Sequence, residues 1–311
     1  METLAVILEA PETIDFRRVG LVDPQPCDVV VDTVYSAIST GTERLLYTGR
    51  MPSFPGLGYP LVPGYEAVGR VVAAGDESQF HAGQWVFVPG AACYRDVRGL
   101  FGAAAGRLIA PAKRVTAIDQ GMGADGALLA LAATAMHAIA NGPRAPDLII
   151  GHGVLGRLLA RIVVAEGGSP TVWERNPARM DGADGYRVIT PDADERRDYH
   201  AICDASGDNE ILDTAVARLA RGGEICLAGF YEKPLSLSFA PAFMREARIR
   251  IAAEWQPSDL IETLGLIDSK RLTLKGLLTH QRPANEAQAA YRIAFEDAAC
   301  LKMVLDWSGT A

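Results

Sequence analysis

The sequence predicts a two-domain α/β protein, in which a β-rich barrel or sandwich is combined with a doubly wound parallel sheet. The chain has 311 residues, which is more than one small core needs. Short β-branched runs bounded by Gly and Pro fill the N-terminal third, and strand–helix alternation begins near residue 124. We therefore expect residues 1–123 and 255–311 to form the β-rich domain and residues 124–254 to form the parallel-sheet domain.

The elements follow these patterns in order. Strands are predicted at residues 4–8, 28–39, 67–75 and 84–90, and the stretch MPSFPGLGYP at 51–60 predicts a loop. A helix ending at Asn141-Gly142 precedes the alternating segments DLII, RLLARIVVAEGG, PTVWE, AICDASG, ILDTAVARLARGG and EICLAGF. Two amphipathic helices and the strand LKMVLDW at 301–307 then close the chain, and we expect this tail to return to the β-rich domain.

Composition and charge narrow the function class. The net charge is −8 with scattered Lys and Arg, which argues against nucleic-acid binding. The five cysteines are isolated and odd in number, so we expect a reducing cytoplasm and no disulfide framework. The N-terminus shows no signal-peptide pattern. The apolar run 127–140 is shorter than the about 20 residues of a transmembrane helix, which predicts a buried helix.

A glycine-rich loop is the first candidate site. It has the G-x-G-x-x-G pattern and consists of Gly151, His152, Gly153, Val154, Leu155 and Gly156. The loop follows a predicted strand and opens a predicted helix, which is the context of a dinucleotide-binding loop. The three glycines would permit a tight turn, the approach of a pyrophosphate and helix–strand packing, and the helix N-terminus would attract the phosphates. The alternative is a glycine-rich turn that binds nothing, and His152 is expected to be a loop side chain near the phosphates.

The cofactor is predicted to be NAD. Glu174 ends the second strand of the sheet, about 20 residues after the glycines, where a carboxylate accepts the ribose hydroxyls and repels a 2′-phosphate. Arg175 follows directly and could instead accept that phosphate, which leaves NADP as the alternative. The turns Ser206-Gly207 and Ala228-Gly229 follow later strands, and we expect further cofactor contacts at these carboxyl ends.

The whole chain resembles the medium-chain dehydrogenase/reductase superfamily. The matching features are Gly64-Tyr65-Glu66, AGQWVFVPG, the helix with Thr134, the glycine-rich loop, ARGGEICLAG and KMVLDW. The resemblance implies a GroES-like barrel domain joined to a Rossmann domain. It also implies that Thr134 faces the nicotinamide, although a helix threonine bonded within its own helix is the alternative. By the same analogy, two copies would form a homodimer through the edge of the dinucleotide-binding sheet.

A narrower resemblance rests on ISTGTERLLYTGRMPSFPGLGYPLVPGYE at 38–66, which is similar to the bacteriochlorophyllide a dehydrogenases of bacteriochlorophyll synthesis. It implies NAD-dependent oxidation of a 3-(1-hydroxyethyl) group on a (bacterio)chlorophyllide to 3-acetyl. The implied location is the cytoplasm, with a peripheral position at the photosynthetic membrane left open. Two alternatives remain, a zinc-free enone or quinone reductase using NADPH and a non-catalytic cofactor-binding protein.

The catalytic zinc of related enzymes lacks its ligands here. Zinc-dependent relatives carry a cysteine before Gly-Thr/Ser-Asp and a histidine in Gly-His-Glu, and this chain has Thr40 and Tyr65 at those positions. Glu66 alone remains as a candidate ligand, and a catalytic zinc takes about three from Cys, His, Asp or Glu. The structural zinc lobe is also missing, because its region holds the single cysteine Cys93. The sequence therefore predicts no metal.

The residues at these positions are the candidates for catalysis and substrate binding. Thr40, Glu43, Tyr65 and Glu66 are the catalytic candidates, and Tyr65 could relay the alcohol proton. The alternative is that Tyr65 packs beneath the cofactor while Glu66 forms a structural ion pair. For the substrate, the candidates are Arg44, Arg50, Phe54, Leu57, Tyr59 and His280. The arginines could bind a propionate and the loop side chains could form an apolar wall, or these groups are solvated and anchor the loop.

Overall fold

The computed structural model describes residues 1–310, which fold into two compact units. One unit contains residues 1–129 together with the returning segment 275–311, and the other contains residues 130–274. The first is built from mixed and antiparallel sheets and the second from one parallel sheet with helices. The predicted α/β architecture with a β-rich and a doubly wound unit is confirmed.

The elements are as follows. The N-terminal part contains β1 (Glu2–Ala10), β2 (Thr13–Gly20), β3 (Asp28–Ile38), α1 (Thr42–Tyr47), β4 (Leu61–Val62), β5 (Ala67–Ala74), β6 (Trp85–Val88), β7 (Arg98–Gly99), β8 (Arg107–Pro111) and β9 (Thr116–Ala117). The middle part contains α2 (Leu129–Ala140), β10 (Leu148–Ile150), α3 (Val154–Ala165), β11 (Thr171–Trp173), β12 (Arg187–Ile189), β13 (Tyr199–Asp204), α4 (Ile211–Arg218), β14 (Leu219–Leu227), α5 (Phe239–Arg245), β15 (Arg248–Ile251) and α6 (Pro257–Asp268). The returning segment contains β16 (His280–Pro283), α7 (Ala287–Glu296) and β17 (Met303–Asp306).

Two sheets enclose the core of the β-rich unit. A four-stranded sheet has the order β2-β1-β4-β7, and a seven-stranded sheet has the order β16-β17-β3-β5-β6-β9, with β8 also paired to β3. The β-branched residues Val6 and Ile7 of β1, and Val29, Val30, Val31 and Ile38 of β3, are buried in one hydrophobic cluster of this unit. Burial of this apolar surface is the main favourable term in folding the unit.

The returning segment is part of this unit because its apolar positions match the core. In α7, the residues Ala287, Ala290, Tyr291 and Ala294 recur at helical spacing and are all buried. Strand β17 pairs antiparallel with β3, in a register that sets Met303 opposite Ile38. This register brings the residues beside that pair, Lys302 and Ser39, to the same end of the sheet.

The second unit is a six-stranded parallel sheet in the order β12-β11-β10-β13-β14-β15. The glycine-rich loop joins the central strand β10 to α3, which buries one apolar face containing Leu158, Leu159 and Ile162. In such sheets, ligands bind outside the carboxyl ends of the strands, where the strand order reverses. Strand β10 lies at that reversal, between β11 and β13.

Residues 255–274 belong to the parallel-sheet unit, whereas the sequence assigned them to the β-rich domain. Helix α6 buries Leu260 and Leu266. Arg161 of α3 donates to the carbonyl of Thr273 at 2.8 Å, and Arg271 donates to the carbonyl of Ala165 at 2.6 Å. The amphipathic pattern predicted this helix, but helical spacing does not say which core its apolar face covers.

The apolar stretch Gln120–Ala140 is long and apolar enough to cross a membrane by length and composition. However, 61% of its most apolar window is buried inside the protein, as in the core helix of a globular unit. It is also not one regular helix. A 3₁₀ segment, Gln120–Leu128, precedes α2, and Gly123 interrupts that segment with a non-helical φ of 51°. This stretch is therefore weak evidence for a membrane span.

Candidate functional site

The β-rich unit contains a group of polar side chains in its interior, which we call the barrel cluster. It consists of Ser39, Glu43, Tyr65, Glu66, Tyr291 and Lys302. Three of the four predicted catalytic residues, Glu43, Tyr65 and Glu66, lie in it. The fourth, Thr40, is half-buried in the turn between β3 and α1. Ser39, Tyr291 and Lys302 were not predicted.

Glu43 is fully buried in the first turn of α1 and has two defined partners. Its Oε1 accepts the backbone N–H of Ser39 at 3.0 Å, and its Oε2 accepts the hydroxyl of Tyr291 at 2.6 Å. Burial raises the pKa of Glu43 to about 7, against the lowering effect of these two hydrogen bonds. Its protonation state therefore changes close to neutral pH.

Glu66 and Lys302 form a buried ion pair. Lys302 Nζ lies 2.5 Å from Glu66 Oε2, and the two side chains are 1% and 0% exposed. Apart from this contact, neither the ammonium nor either carboxylate oxygen has a hydrogen-bond partner within residues 1–310. Burial raises the pKa of Glu66, and Lys302 opposes that shift. The pair therefore leaves donor positions of Lys302 and acceptor positions of Glu66 without a hydrogen bond, which is unusual for buried polar groups.

Tyr65 links the barrel cluster to partly exposed surface. Its ring is half-buried and meets Phe101 edge-on, with the ring centroids 5.4 Å apart. The phenol donates to Ser39 Oγ at 2.6 Å and also interacts with Thr42. Burial, together with the charges of Glu66 and Glu43, raises the pKa of Tyr65. Tyr65 therefore remains a phenol at neutral pH and can pass a proton on but not retain the charge of a phenolate.

The glycine-rich loop of the second unit has the geometry of a phosphate-binding turn. Gly151 has φ of 97°, which favours glycine, and a Cβ on Gly156 would lie 1.8 Å from the carbonyl oxygen of Gly151. A Cβ on Gly153 would have no atom within 4 Å, so there is open space on that side. The loop leads into α3 at Val154, and the first N–H groups of that helix point out of its N-terminus. Val154 is buried, and Leu155 is half-buried.

His152 is tied into the protein beneath this loop. Its side chain is fully buried, with Nδ1 at 2.6 Å from the carbonyl oxygen of Arg179 and Nε2 at 2.8 Å from the hydroxyl of Tyr186. A carbonyl only accepts, so Nδ1 carries the proton and Nε2 accepts from Tyr186. Burial lowers the pKa of His152 to about 4. The imidazole is thus a neutral structural group, and only the backbone of His152 faces the loop.

Glu174 closes the same loop from the end of β11. Its Oε2 accepts the backbone N–H of His152 at 3.0 Å, and its Oε1 accepts the N–H groups of Arg175 and Asn176, both at 2.8 Å. A carboxylate offers about four acceptor positions, so one remains. Arg175 is exposed and lies 3.7 Å from Asp208. The carboxylate of Glu174 is therefore held beside the loop by three backbone N–H groups, while the guanidinium of Arg175 pairs with Asp208.

The two predicted turns at the carboxyl ends of β13 and β14 come together with the glycine-rich loop. A Cβ on Gly151 would lie 3.2 Å from the backbone of Ser206, and one on Gly229 would lie 2.9 Å from the nitrogen of Gly207. The N–H groups of Ala228 and Gly229 both donate to the carbonyl of Asp204 at 2.9 Å. Three backbone turns predicted to contact the cofactor thus form one edge of the sheet.

The predicted substrate residues have mostly local partners. Phe54, Leu57 and Tyr59 pack against the buried cluster of Leu45, Leu46, Met51 and Leu61, and the hydroxyl of Tyr59 donates to the carbonyl of Leu46. The loop side chains therefore anchor the loop to the β-rich unit. Arg44 and Arg50 are exposed.

The remaining candidates also have partners. Thr134 donates to the carbonyl of Ala130 at 2.9 Å, so its hydroxyl is bonded within its own helix. His280 lies in β16, with Nδ1 at 2.9 Å from Thr279 Oγ1 and Nε2 at 3.8 Å from Asp297. The cofactor role of Thr134 and the substrate role of His280 stay predictions.

Comparison with known proteins identifies the family. Residues 25–120 match the model of the alcohol dehydrogenase GroES-like domain. The chain is 58% identical over 310 residues to the 2-desacetyl-2-hydroxyethyl bacteriochlorophyllide A dehydrogenase of Rhodobacter capsulatus, with 99% of each chain covered. It belongs to this dehydrogenase family. The protein of the same name from Cereibacter sphaeroides is 56% identical, with all of both chains covered.

The fold agrees with this family. A short chain alcohol dehydrogenase from E. coli CFT073, solved in complex with NADH, superposes with a TM-score of 0.84 at 19% identity over 98% of this chain and 99% of that chain. At that identity the likeness shows the fold alone, which is that of dinucleotide-binding dehydrogenases. The GroES-like domain and the two full-length relatives show that the chain is a member of the medium-chain dehydrogenase/reductase superfamily and an oxidoreductase acting on an alcohol donor.

Ser39, Tyr291 and Lys302 are the residues of the barrel cluster that sequence reasoning missed. Lys302 had one sequence signal, since a lysine stands at the start of the apolar strand LKMVLDW. A charged residue beside a buried strand usually has a partner. Tyr291 had none, because an aromatic residue on the apolar face of an amphipathic helix is ordinarily part of the core.

Proposed function

We propose that this protein oxidises the hydroxyethyl side chain of a bacteriochlorophyllide to an acetyl group, with NAD as hydride acceptor and without a catalytic zinc. The observation that carries the substrate is the identity of 58% and 56% along the full chain to two proteins named for that activity. The cofactor and the absence of zinc rest on the site residues.

The donor set of the barrel cluster does not fit zinc. The positions that hold metal ligands in zinc-dependent relatives carry Thr40 and Tyr65, and Glu66 is committed to Lys302. No group of three or more His, Cys, Asp or Glu side chains in residues 1–310 is arranged to hold a metal ion. Metal analysis of the purified enzyme is expected to find no stoichiometric zinc, and finding it would disprove this part of the proposal.

NAD fits the second unit. The loop of Gly151, Gly153 and Gly156 would hold the pyrophosphate, and Glu174 would face the adenosine ribose with its remaining acceptor position. When bound, this cofactor supplies the carbon that receives a hydride. Because the carboxylate is fixed beside the loop, a 2′-phosphate would be repelled. Assays with NAD and NADP at equal concentration test this preference, and a preference for NADP would overturn it.

In this proposal, Tyr65 orients the substrate hydroxyl and relays its proton. Tyr65 is half-buried, and its hydroxyl is hydrogen-bonded to Ser39 in the interior. It can therefore connect a substrate at the surface with the barrel cluster. A positioned proton relay contributes about 10²–10⁴-fold to the rate. We expect Tyr65→Phe to lower kcat by that factor. Full turnover by this variant would remove Tyr65 from the mechanism.

The substrate is tested directly. The enzyme is incubated with NAD and a hydroxyethyl bacteriochlorophyllide while pigment absorbance and NADH are followed. A red-shifted acetyl product formed together with NADH is expected, because the new ketone extends the conjugated ring. No conversion would refute the proposal. Reduction of an enone or quinone with NADPH would instead identify the enzyme as a reductase.

We also propose that two copies associate through one edge of the parallel sheet. Strand β15 is the last strand of that sheet, and an apolar patch surrounds it, formed by Phe239, Phe243, Met244, Ile249 and Ile251. Phe239 and Ile251 are 76% and 74% exposed, which is unusual for large apolar residues on a monomer. An unpaired edge strand can pair with its own copy about a two-fold axis.

Light scattering on size-exclusion fractions tests this association. A dimer mass is expected for the native chain, and Ile251→Lys should shift it toward the monomer. Ile261→Lys is the control, because Ile261 is 70% exposed but lies on α6, outside the patch. A monomeric native protein would overturn this part of the proposal.

A further inference from the structure

The barrel cluster contains two buried carboxyl groups that have different partners. Glu43 accepts two hydrogen bonds, from the amide of Ser39 and the hydroxyl of Tyr291. Glu66 accepts none within residues 1–310, and instead faces the ammonium of Lys302 at 2.5 Å. Two carboxyls whose surroundings separate their charge states are a common arrangement for acid and base chemistry.

Ionising both carboxyls and the lysine of this cluster at the same time is energetically unfavourable. With Glu43, Glu66 and Lys302 all ionised, the buried cluster would carry one uncompensated negative charge, and burial disfavours it. Glu66 is held by a cation in direct contact, whereas Glu43 has only neutral donors in contact. Of the two, Glu43 is therefore the carboxyl that can gain and lose a proton without leaving Lys302 unpaired.

We propose that the returning segment gives the two carboxyls different tasks: Lys302 keeps Glu66 ionised, and Tyr291 positions Glu43 as the final acceptor of the alcohol's proton. The inference rests on the proposed alcohol oxidation. Lys302 and Tyr291 are positioning residues, since each acts through a carboxylate.

The step balances in protons and electrons. The hydroxyl-bearing carbon loses a hydride to an oxidised nicotinamide dinucleotide, and its oxygen loses a proton as the C=O bond forms. That proton enters at Tyr65, whose own proton passes along the 2.6 Å hydrogen bond to Ser39 Oγ. For the last transfer the Ser39 hydroxyl turns toward Glu43 Oε1, the oxygen that accepts the amide of the same residue at 3.0 Å, and gives it its proton. Glu43 ends as a neutral carboxylic acid.

The other two candidate acceptors are less suitable. Tyr65 is bordered by Glu43 and Glu66, whose charges oppose a phenolate. Protonation of Glu66 would leave the ammonium of Lys302 buried without its counter-ion. A neutral Glu43 keeps both contacts, because its carbonyl oxygen Oε2 still accepts from Tyr291 while a hydroxyl at Oε1 retains a lone pair for the amide of Ser39.

The test removes one hydroxyl. In Tyr291→Phe, the ionised form of Glu43 loses a hydrogen-bond donor, so its pKa rises and the acid limb of kcat/KM for alcohol oxidation should move up by about one to two pH units. The matched control is Tyr47→Phe, since Tyr47 packs against Tyr291 with ring centroids 6.4 Å apart. The control should show the same acid limb of the pH profile as the native enzyme. An unchanged acid limb in Tyr291→Phe would overturn the inference.

A second measurement does not depend on activity. Infrared difference spectra between acid and alkaline pH should show the carbonyl band of a protonated buried carboxyl that titrates near neutrality in the native enzyme. The band should be absent in Glu43→Gln and should titrate at higher pH in Tyr291→Phe. A band that persists in Glu43→Gln would overturn the assignment. If no hydroxyethyl pigment is oxidised, the proposed function fails, and the band still decides whether Glu43 is the carboxyl that titrates.

Discussion

Each of the two units contains a buried polar cluster, and the two clusters differ in how completely their hydrogen bonds are made. Beneath the glycine-rich loop, both ring nitrogens of His152 are bonded, and Arg157 donates to three backbone carbonyls. In the barrel cluster, the ammonium of Lys302 and both oxygens of Glu66 have no hydrogen bond within the described residues. A satisfied network fixes the backbone around it, whereas the two buried charges of the barrel cluster depend on each other alone.

The two clusters also respond to pH in opposite directions. Burial lowers the pKa of His152 to about 4 and raises that of Glu43 to about 7, so burial favours the neutral form of each. For the histidine that form has lost a proton, and for the carboxyl it has gained one. Burial thus keeps the imidazole of His152 uncharged at neutral pH, whereas it moves the titration of Glu43 close to neutral pH.

The largest expected effect comes from breaking the buried ion pair. Lys302→Met leaves Glu66 as an unpaired carboxylate in the core, which typically costs about 3–5 kcal/mol of unfolding free energy. Urea denaturation monitored by circular dichroism measures it.

The double variant Lys302→Met with Glu66→Gln is the control, because it removes both charges. It should recover most of the loss. If the double variant is as unstable as the single one, the loss arises from packing and not from the stranded charge.

The next effect is the pH dependence of stability. Between pH 4.5 and about 7 the folded state retains the proton of Glu43 and the unfolded state does not, so this group's contribution to stability falls as pH rises, by about 3 kcal/mol. His152 contributes in the opposite sense. Its folded pKa of about 4 lies below the ordinary histidine pKa of 6.5, so its contribution to stability rises with pH between about 4 and 6.5, by about the same amount.

In the native protein these two contributions largely cancel between about pH 4.5 and 6.5. Glu43→Gln should therefore uncover a stability that rises with pH, and His152→Gln should uncover one that falls. Unfolding free energies measured across this range show the slopes. Two variants with the same slope would contradict the assignment of opposite charge behaviour to the two clusters.

A smaller effect is expected on cofactor binding. His152→Ala removes both side-chain hydrogen bonds that hold the glycine-rich loop to the segment around Arg179 and Tyr186. A looser loop should weaken NADH binding about tenfold, which corresponds to about 1.4 kcal/mol, with little change in kcat. Fluorescence titration gives the dissociation constant.

His81→Ala is the matched control for this variant, because His81 is exposed in the other unit. It should bind NADH as the native protein does. Unchanged NADH binding in His152→Ala would show that the loop holds its shape without this support.

The difference between the clusters also explains what the sequence could predict. The glycine-rich loop was predictable because strand, glycines, helix and Glu174 are neighbours along the chain. The barrel cluster was predictable only in part. Glu43 and Tyr65 stand at positions that the family pattern marks, whereas Tyr291 reaches Glu43 across 248 residues of sequence. Which residue of a returning helix meets a given carboxyl is decided by packing, and no local pattern encodes it.

The boundary near residue 274 was missed for the same reason. Helix α6 was predicted from its periodicity, but the partners that tie this segment to the parallel sheet are single contacts such as that of Arg271 with Ala165. Side-chain spacing establishes that a helix has an apolar face. The surface that this face covers depends on the rest of the fold.

The smallest expected effect separates ion pairing from burial. Arg107 and Asp32 form a two-point ion pair at 2.5 and 2.9 Å in the same unit as Lys302, but their side chains are 36% and 43% exposed. Arg107→Met should cost only about 0.2–1 kcal/mol, and the loss should shrink further in high salt because exposed charges are screened. If Arg107→Met instead lost as much unfolding free energy as Lys302→Met, the loss in the barrel cluster would come from breaking an ion pair and not from its burial. A small loss would identify desolvation of the unpaired charge as the cause, and desolvation is also what raises the pKa of Glu43 to about 7.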